Sequence, residues 1–307
     1  MSSILLTGSN GYLGAACVPM LSESEEIQVI ATWNCRTENI SVDKKSNVRY
    51  VQCNLSDAEA VFALFEMEDI IAIVHAAALL PDTKPSYIQR ALSANVASTV
   101  NLVQAGQASG CKSFVHCSSV SVYGTTDSYH LLSEDEDPAP EDDYSWSKSV
   151  AEQYLRHSCC NSSMSAISLR LSGLHGPGRT SGIFYNVAKA ALQGIPVQTT
   201  SQSVPFQFLH IYDAVAAIKM ALSRDDLLKP GYRVVNVASG IVPSLNDIVT
   251  LADCKARIAI PPMVAPKPGK RYQLMSTERL EEWLEWTPHS MEQTLDSSRK
   301  WIQRNRL

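Results

Sequence analysis

Several signatures are missing from this sequence, and each absence removes a class of function. The 307 residues contain no Cys-x-x-Cys, and the adjacent pair Cys159-Cys160 suits neither a zinc site nor an unstrained disulfide. The 8 cysteines therefore read as reduced and mostly buried small hydrophobes, and no metal is expected. Long apolar runs are also missing. The longest, around Ile70 to Leu80, includes His75 and is too short to cross a bilayer, so it reads as a buried parallel strand running into a loop. No basic stripe with interleaved aromatics occurs, and the formal charge of -5 argues against a polyanion-binding surface, so neither nucleic acid nor membrane is expected as a partner. No cationic stretch followed by an apolar core and a cleavage site opens the chain, which predicts the cytoplasm. There is no internal repeat.

What the sequence does contain is 45% hydrophobic residues, enough for a large core. Candidate strands at Ile4 to Leu6, Val29 to Ala31, Val48 to Gln52, Ile70 to His75, Ser113 to Cys117, Ala166 to Leu171 and Arg233 to Val237 alternate with helix-compatible stretches. That alternation predicts an α/β fold built on a doubly wound parallel sheet. Between the first strand and a stretch that reads as helix lies Thr7-Gly8-Ser9-Asn10-Gly11-Tyr12-Leu13-Gly14. A strand that turns sharply into a helix leaves the helix's first N–H groups unpaired and the dipole's positive end exposed, which favours an anion. Gly8, Gly11 and Gly14 supply a tight turn, close backbone approach to phosphate and close helix–strand packing. A glycine-rich connection with no ligand would look the same in isolation. The strand–helix–strand context selects the dinucleotide reading.

Far downstream, Tyr144-Ser145-Trp146-Ser147-Lys148 places a phenol and an ammonium four positions apart, on one face of a helix. The ammonium is expected to favour the phenolate, bringing Tyr144 towards working pH as a general acid or base, and to offer donors to ribose hydroxyls. Alone, the pair also fits an ordinary amphipathic helix. Ser118-Ser119-Val120-Ser121-Val122-Tyr123-Gly124 adds a hydroxyl at the end of another strand. The acidic segment Glu134 to Asp143, with Pro138 and Pro140, reads as a solvated loop leading to Tyr144. Thr277 to Glu285 and Met291 to Asn305 read as amphipathic helices of a C-terminal cap.

With these motifs in this order, the chain resembles the extended short-chain dehydrogenases/reductases, which include nucleotide-sugar epimerases, dehydratases and ketoreductases. Further segments carry the resemblance: Cys53-Asn54-Leu55-Ser56-Asp57 near the adenine, His75-Ala76-Ala77-Ala78 beside the cofactor, and Asn95-Val96-Ala97-Ser98-Thr99 in the central helix. Leu169-Arg170, Gly176-Pro177-Gly178 and Phe208 to Asp213 match later family stretches. The resemblance implies a Rossmann-type domain over 1–171, to which 206–238 returns, and a smaller C-terminal substrate-binding domain over 172–205 and 239–307. It implies that Ser119 hydrogen-bonds the reacting oxygen, that Tyr144 transfers the proton and that Lys148 holds the ribose. Asn10, Tyr12, Leu13, Asn34, Asn54, Leu55, Ala76, Ala77, Ala78 and Asn95 are the cofactor residues it adds to the glycines. Ser121 and Arg271 join Ser119 on the substrate side, with Lys267 to Arg271 resembling a diphosphate clamp. A homodimer is common in the family.

Departures from the family pattern shape the expected reaction. The second strand ends Ala31-Thr32-Trp33-Asn34-Cys35-Arg36, without the Asp or Glu that NAD-binding members use for ribose hydroxyls. Arg36 either pairs with a 2′-phosphate or is a solvated loop charge. NADP(H) is therefore the expected cofactor, with NAD(H) the alternative. Val120 and Ser121 stand where sugar dehydratases carry acids, which disfavours dehydration. Reduction of a 4-keto sugar nucleotide is the first expectation and 4-epimerisation the alternative; a cofactor-binding protein without turnover is a third reading. Ser172-Gly173 and Pro205-Phe206-Gln207 replace an asparagine and an arginine common in nucleotide-sugar members.

Overall fold

The computed structural model describes residues 1–34, 45–197, 205–224, 226–252, 272–283 and 287–306. The elements begin β1 (Ser3–Thr7), α1 (Tyr12–Leu21), β2 (Gln28–Trp33), β3 (Val48–Gln52), α2 (Ala58–Met67), β4 (Ile70–His75), α3 (Tyr87–Ala91), α4 (Ser98–Ser109) and β5 (Ser113–Ser119). They continue β6 (Leu131–Leu132), α5 (Asp143–Cys159), β7 (Ser165–Leu171), β8 (Gly173–His175), α6 (Ile183–Gln193), β9 (Phe208–His210), α7 (Ile211–Ser223) and β10 (Gly231–Val237). The last are α8 (Leu245–Ala252), β11 (Leu274–Met275), α9 (Glu278–Trp283) and α10 (Met291–Asn305). All the strands expected from the sequence are present. Between β2 and β3 the described residues form no helix, residues 35–44 lying outside them.

Two compact units result. The first takes Met1–Val122, Pro138–Arg170 and Val215–Val235; the second takes Tyr123–Asp137, Leu171–Ala214 and Asn236–Leu307. The segments end close to the expected boundaries, at Arg170 and Val235 rather than at 171 and 238, and depart from them more widely at two points where strands pair. Tyr123–Asp137 goes with the second unit because β6 pairs in parallel with β11. The return to the first unit starts at Val215 rather than at residue 206 because β9 pairs with β8.

The seven-stranded sheet runs β10-β7-β5-β4-β1-β2-β3. Its β2–β3, β1–β2, β1–β4 and β4–β5 pairs are parallel. Strand order reverses between β1 and β4, the switch point at whose carboxyl end such sheets bind ligands. Runs such as Leu5-Leu6 and Ile73-Val74 are wholly buried, as expected of strands covered on both faces. On one face, Leu5, Ile30, Ile73 and Phe114 pack with Val61 and Leu64 of α2, Leu102 and Val103 of α4 and Leu155 of α5. Each such side chain contributes about 1.5–3 kcal/mol through burial. The second unit has its own core, with Phe184 and Val187 of α6, Ile248 of α8 and Leu295 and Ile302 of α10.

The expected solvated loop before Tyr144 is partly wrong. Glu134 is buried, and its Oε1 accepts the Asn236 N–H at 2.8 Å. A carboxylate is tolerated there because backbone donation offsets its lost hydration.

Candidate active site

The turn from β1 into α1 is built as its glycines require. Gly8 has φ +68 and the Gly11 N–H donates to its carbonyl at 2.8 Å. A Cβ at Gly8 would lie 2.7 Å from Ala77 Cα, and one at Gly14 would lie 2.1 Å from the Gly8 carbonyl oxygen. The Ser9 N–H donates to Thr32 O at 3.0 Å, tying the turn to β2. Gly11 caps α1 with no side-chain hydrogen bond, so the helix's first N–H groups remain available for an anion.

These residues open onto a cleft of about 360 Å³ lined by Gly8, Asn10, Gly11, Asn34, Asn54, Leu55, Ala76, Ala77 and Ala78. Thr32, Trp33, Cys53, Ser56, Leu79, Ser93, Ala94 and Ser98 complete the wall. Cys53 and Ser56 come from the segment expected near the adenine and Ser98 from the expected central helix, whereas Leu79, Ser93 and Ala94 were not expected at the cleft. Thr32 and Trp33 end β2 at the switch point, which was the available signal. Ser93, Ala94 and Ser98 share a helical face, and nothing local marks that face. The small side chains, close backbone and uncapped helix end fit a dinucleotide with its pyrophosphate at α1. Tyr12, Leu13 and Gly14 form the first turn of α1 off this wall, with Leu13 in the core. Arg36 and Arg271, with Lys267 and Lys270, lie outside the described residues.

Asn95 supports the cleft from behind its wall. It lies in a π-helical stretch, Leu92–Ala97, between α3 and α4 and is buried away from the cleft wall. Its Oδ1 accepts the Leu79 N–H at 2.7 Å, while Nδ2 donates to Leu79 O at 3.2 Å and to Ser147 Oγ at 2.9 Å. Asn95 thus pins the segment after β4 to the helix that carries Tyr144.

That helix, α5, starts with a capping box: Asp142 Oδ1 accepts the Ser145 N–H at 2.7 Å and the Asp142 N–H donates to Ser145 Oγ at 3.1 Å. Such a cap fixes the first turn, where Tyr144 sits. The helix is locked to the sheet by a buried ion pair, Arg170 Nη2 to Glu152 Oε2 at 2.7 Å, with the Ser118 hydroxyl also donating to Glu152. The Ser119 hydroxyl lies beside the Tyr144 phenol and favours its charged form. Ser121 donates to Ser119 Oγ from its hydroxyl at 2.8 Å and from its N–H at 3.2 Å. In this geometry Ser121 orients Ser119.

The electrostatics differ from the sequence expectation. Burial, reinforced by Tyr87, pushes the Tyr144 phenol up to about 12, and the neighbouring Ser119 hydroxyl opposes this. Lys148 is not what sets it. Burial brings the Lys148 ammonium down to about 8, and its Nζ lies 3.4 Å from His116 Nε2. Tyr144 is therefore a neutral phenol at neutral pH, ready to donate a proton, with the Ser119 hydroxyl beside it.

The geometry can be set beside known proteins. UDP-glucose 4-epimerase of Vibrio cholerae is 32% identical over 212 residues, a match spanning 64% of this chain and 58% of that enzyme. The dTDP-4-dehydro-6-deoxyglucose reductase of Escherichia coli is 23% identical, the match spanning 83% of this chain and 82% of the reductase. Among solved structures, MoeE5 in complex with UDP-glucuronic acid and NAD is 25% identical and superposes with a TM-score of 0.82 over 99% of both chains. Among the described residues no helix is long and apolar enough to cross a membrane. The profile of the NAD dependent epimerase/dehydratase family matches residues 4–238, from the first strand of the central sheet to its last. On that span the chain belongs to this family of enzymes, within the extended short-chain dehydrogenases/reductases.

Proposed function

We propose that the protein is a nucleotide-sugar 4-epimerase. The observation that carries this reading is the placing of Ser119 beside the Tyr144 phenol on the same unit as the dinucleotide cleft, with non-acidic Val120 and Ser121 beside it in place of a dehydratase's acids. The names of the relatives support it, since 4-epimerases recur among them. A bound nicotinamide dinucleotide supplies hydride acceptance and return. Tyr144, ionised to its phenolate with positive charge nearby, takes the proton from the C4 hydroxyl as hydride leaves C4, and as the phenol gives it back when hydride returns to the other face of the keto sugar. Ser119 holds that oxygen in both directions, and Lys148 donates to the ribose and counters charge on Tyr144. The second unit is assigned to the sugar nucleotide, as the resemblance implies.

The test is incubation with UDP-glucose, UDP-galactose, UDP-arabinose and UDP-xylose without added reductant, followed by NMR. Interconversion of C4 epimers with no net change in NADH absorbance is expected. Stoichiometric NADPH consumption on a 4-keto-6-deoxy sugar nucleotide, with no interconversion of epimers, would overturn the reading.

A second reading, a 4-keto reductase using NADPH, is favoured by one specific observation. The end of β2 presents Trp33 and Asn34 to the cleft, and among the described residues neither carboxylate type that would suit an unphosphorylated ribose is there. On this reading NADPH binds more tightly than NADH and the gap shrinks in Arg36→Ala. Dissociation constants for the two cofactors, measured by fluorescence, decide the matter; equal or tighter NADH binding removes the reductase reading.

A further inference from the structure

A row of polar side chains crosses the sheet near the carboxyl ends of its strands. Thr7 of β1 is paired in register with Thr32 of β2 and His75 of β4, and His75 in turn with His116 of β5. His75 and His116 are fully buried and stack with ring centroids 5.9 Å apart. Such groups would be costly unless each nitrogen were bonded, and the partners fix the tautomers. Ser98 spends its hydroxyl proton on Ala94 O at 2.6 Å, so the His75 proton lies on Nε2 and His75 Nδ1 accepts the Thr7 hydroxyl at 2.8 Å, while Thr7 Oγ1 accepts the Ala77 N–H at 3.1 Å. His75 Nε2–H then donates to Ser98 Oγ at 3.4 Å. Along the row, His116 Nδ1 lies 3.2 Å from Ser168 Oγ and its Nε2 lies 3.4 Å from Lys148 Nζ. An ammonium has only donors, so Nε2 is the acceptor and the His116 proton sits on Nδ1.

We propose that His116 is a positioning residue for Lys148, its Nε2 accepting one of the three ammonium protons and holding the lysine in its cofactor-binding conformation. The proposal rests on the cofactor role given to Lys148 above. His116 carries no positive charge itself: burial, with Lys148 and His75 nearby, keeps it neutral well below its ordinary range. The other titratable groups facing Lys148 are His75 of β4, Cys117 of β5 and Glu152 on its own helix. Cys117 is held protonated by burial, pushed up to about 12, and Glu152 is already paired with Arg170. His116 is thus the neutral acceptor that keeps a wholly buried ammonium charged. Without it, the charged form of Lys148 loses its hydrogen bond, and its range moves further down from about 8.

The test uses the full-length protein and NADH fluorescence titrations across pH in the wild type, His116→Phe, His116→Gln and Lys148→Met. A hydrogen bond to a charged group is worth enough to change affinity by about tenfold. His116→Phe is expected to weaken NADH binding by that factor and to lose binding at lower pH than the wild type. His116→Gln, whose amide oxygen can accept from Lys148, is expected to restore most of both. Weakening in Lys148→Met but wild-type behaviour in His116→Phe overturns this proposal and leaves the role of Lys148 intact. Unchanged binding in Lys148→Met overturns both. Should His116→Phe fail to fold, the ring nitrogens of the wild type decide by NMR. The Nδ1–H form supports the proposal, and the Nε2–H form, which cannot accept from an ammonium, overturns it.

Discussion

Replacing Tyr144 by Phe should reduce turnover by about 10²–10⁴-fold, the range lost with a positioned general acid–base group. Folding should change little. The substitution removes one oxygen, which lies beside Ser119, and even a neutral hydrogen bond contributes only about 1 kcal/mol net. Ser119 keeps a partner in Ser121, so no hydroxyl is stranded. NADH binding should also hold, because Lys148 and the cleft wall are untouched. The measurements are kcat on the epimer pair, the thermal midpoint and the NADH dissociation constant. Near-native kcat with fold and binding intact would remove Tyr144 from the chemistry. A loss of all three together would mark it as a structural residue.

The central sheet was legible because strands covered on both faces must be continuously apolar, and runs such as Val29 to Ala31 and Ile70 to His75 have few other uses. The glycine turn was legible for a related reason: backbone constraints narrow the choice of residue, and Gly8 and Gly14 meet theirs at 2.7 and 2.1 Å. Two-residue strands such as β6 and β11 carry no period to read, so the transfer of Tyr123–Asp137 to the second unit was invisible. Glu134 was misplaced because its burial depends on Asn236, far along the chain. Asn95 was found as a residue but not in its role, since its amide is spent on Leu79 and Ser147.

The direction of the Tyr144 shift shows the same limit at the site. Sequence spacing places Lys148 on the tyrosine's helix face, and on that basis the phenol should ionise more easily. Spacing says nothing about burial or about His116, which takes the ammonium at 3.4 Å. Desolvation wins. The consequence for mechanism is that proton donation by Tyr144 needs no prior ionisation, whereas proton removal has to be helped by positive charge nearby.

Gly14→Ala should be the most damaging single change in the cofactor cleft, and two opposing effects decide its sign. Gly14 lies in the first turn of α1, where helix propensity alone would make alanine more stable by about 1 kcal/mol. The added Cβ, however, would sit 2.1 Å from the Gly8 carbonyl oxygen, 2.7 Å from the Gly8 carbonyl carbon and 3.0 Å from Ser9 Cα. All of these are backbone atoms, so no rotamer change relieves the contact, and the overpacking costs about 1–3 kcal/mol or more. The turn must then move away from α1, carrying Gly8 and Gly11 out of the cleft wall they line. Misplacement of about 1 Å in such a site is enough for losses on the order of 100-fold. Gly110→Ala provides the comparison. Its Cβ would meet nothing within 4 Å, but its φ is +79, so it should cost about 1 kcal/mol in stability and leave NADH binding unchanged. Thermal unfolding and NADH titration of the two variants separate the effects. Wild-type NADH affinity in Gly14→Ala, or a gain in its stability, would mean that the turn does not depend on the close approach of Gly14 to Gly8.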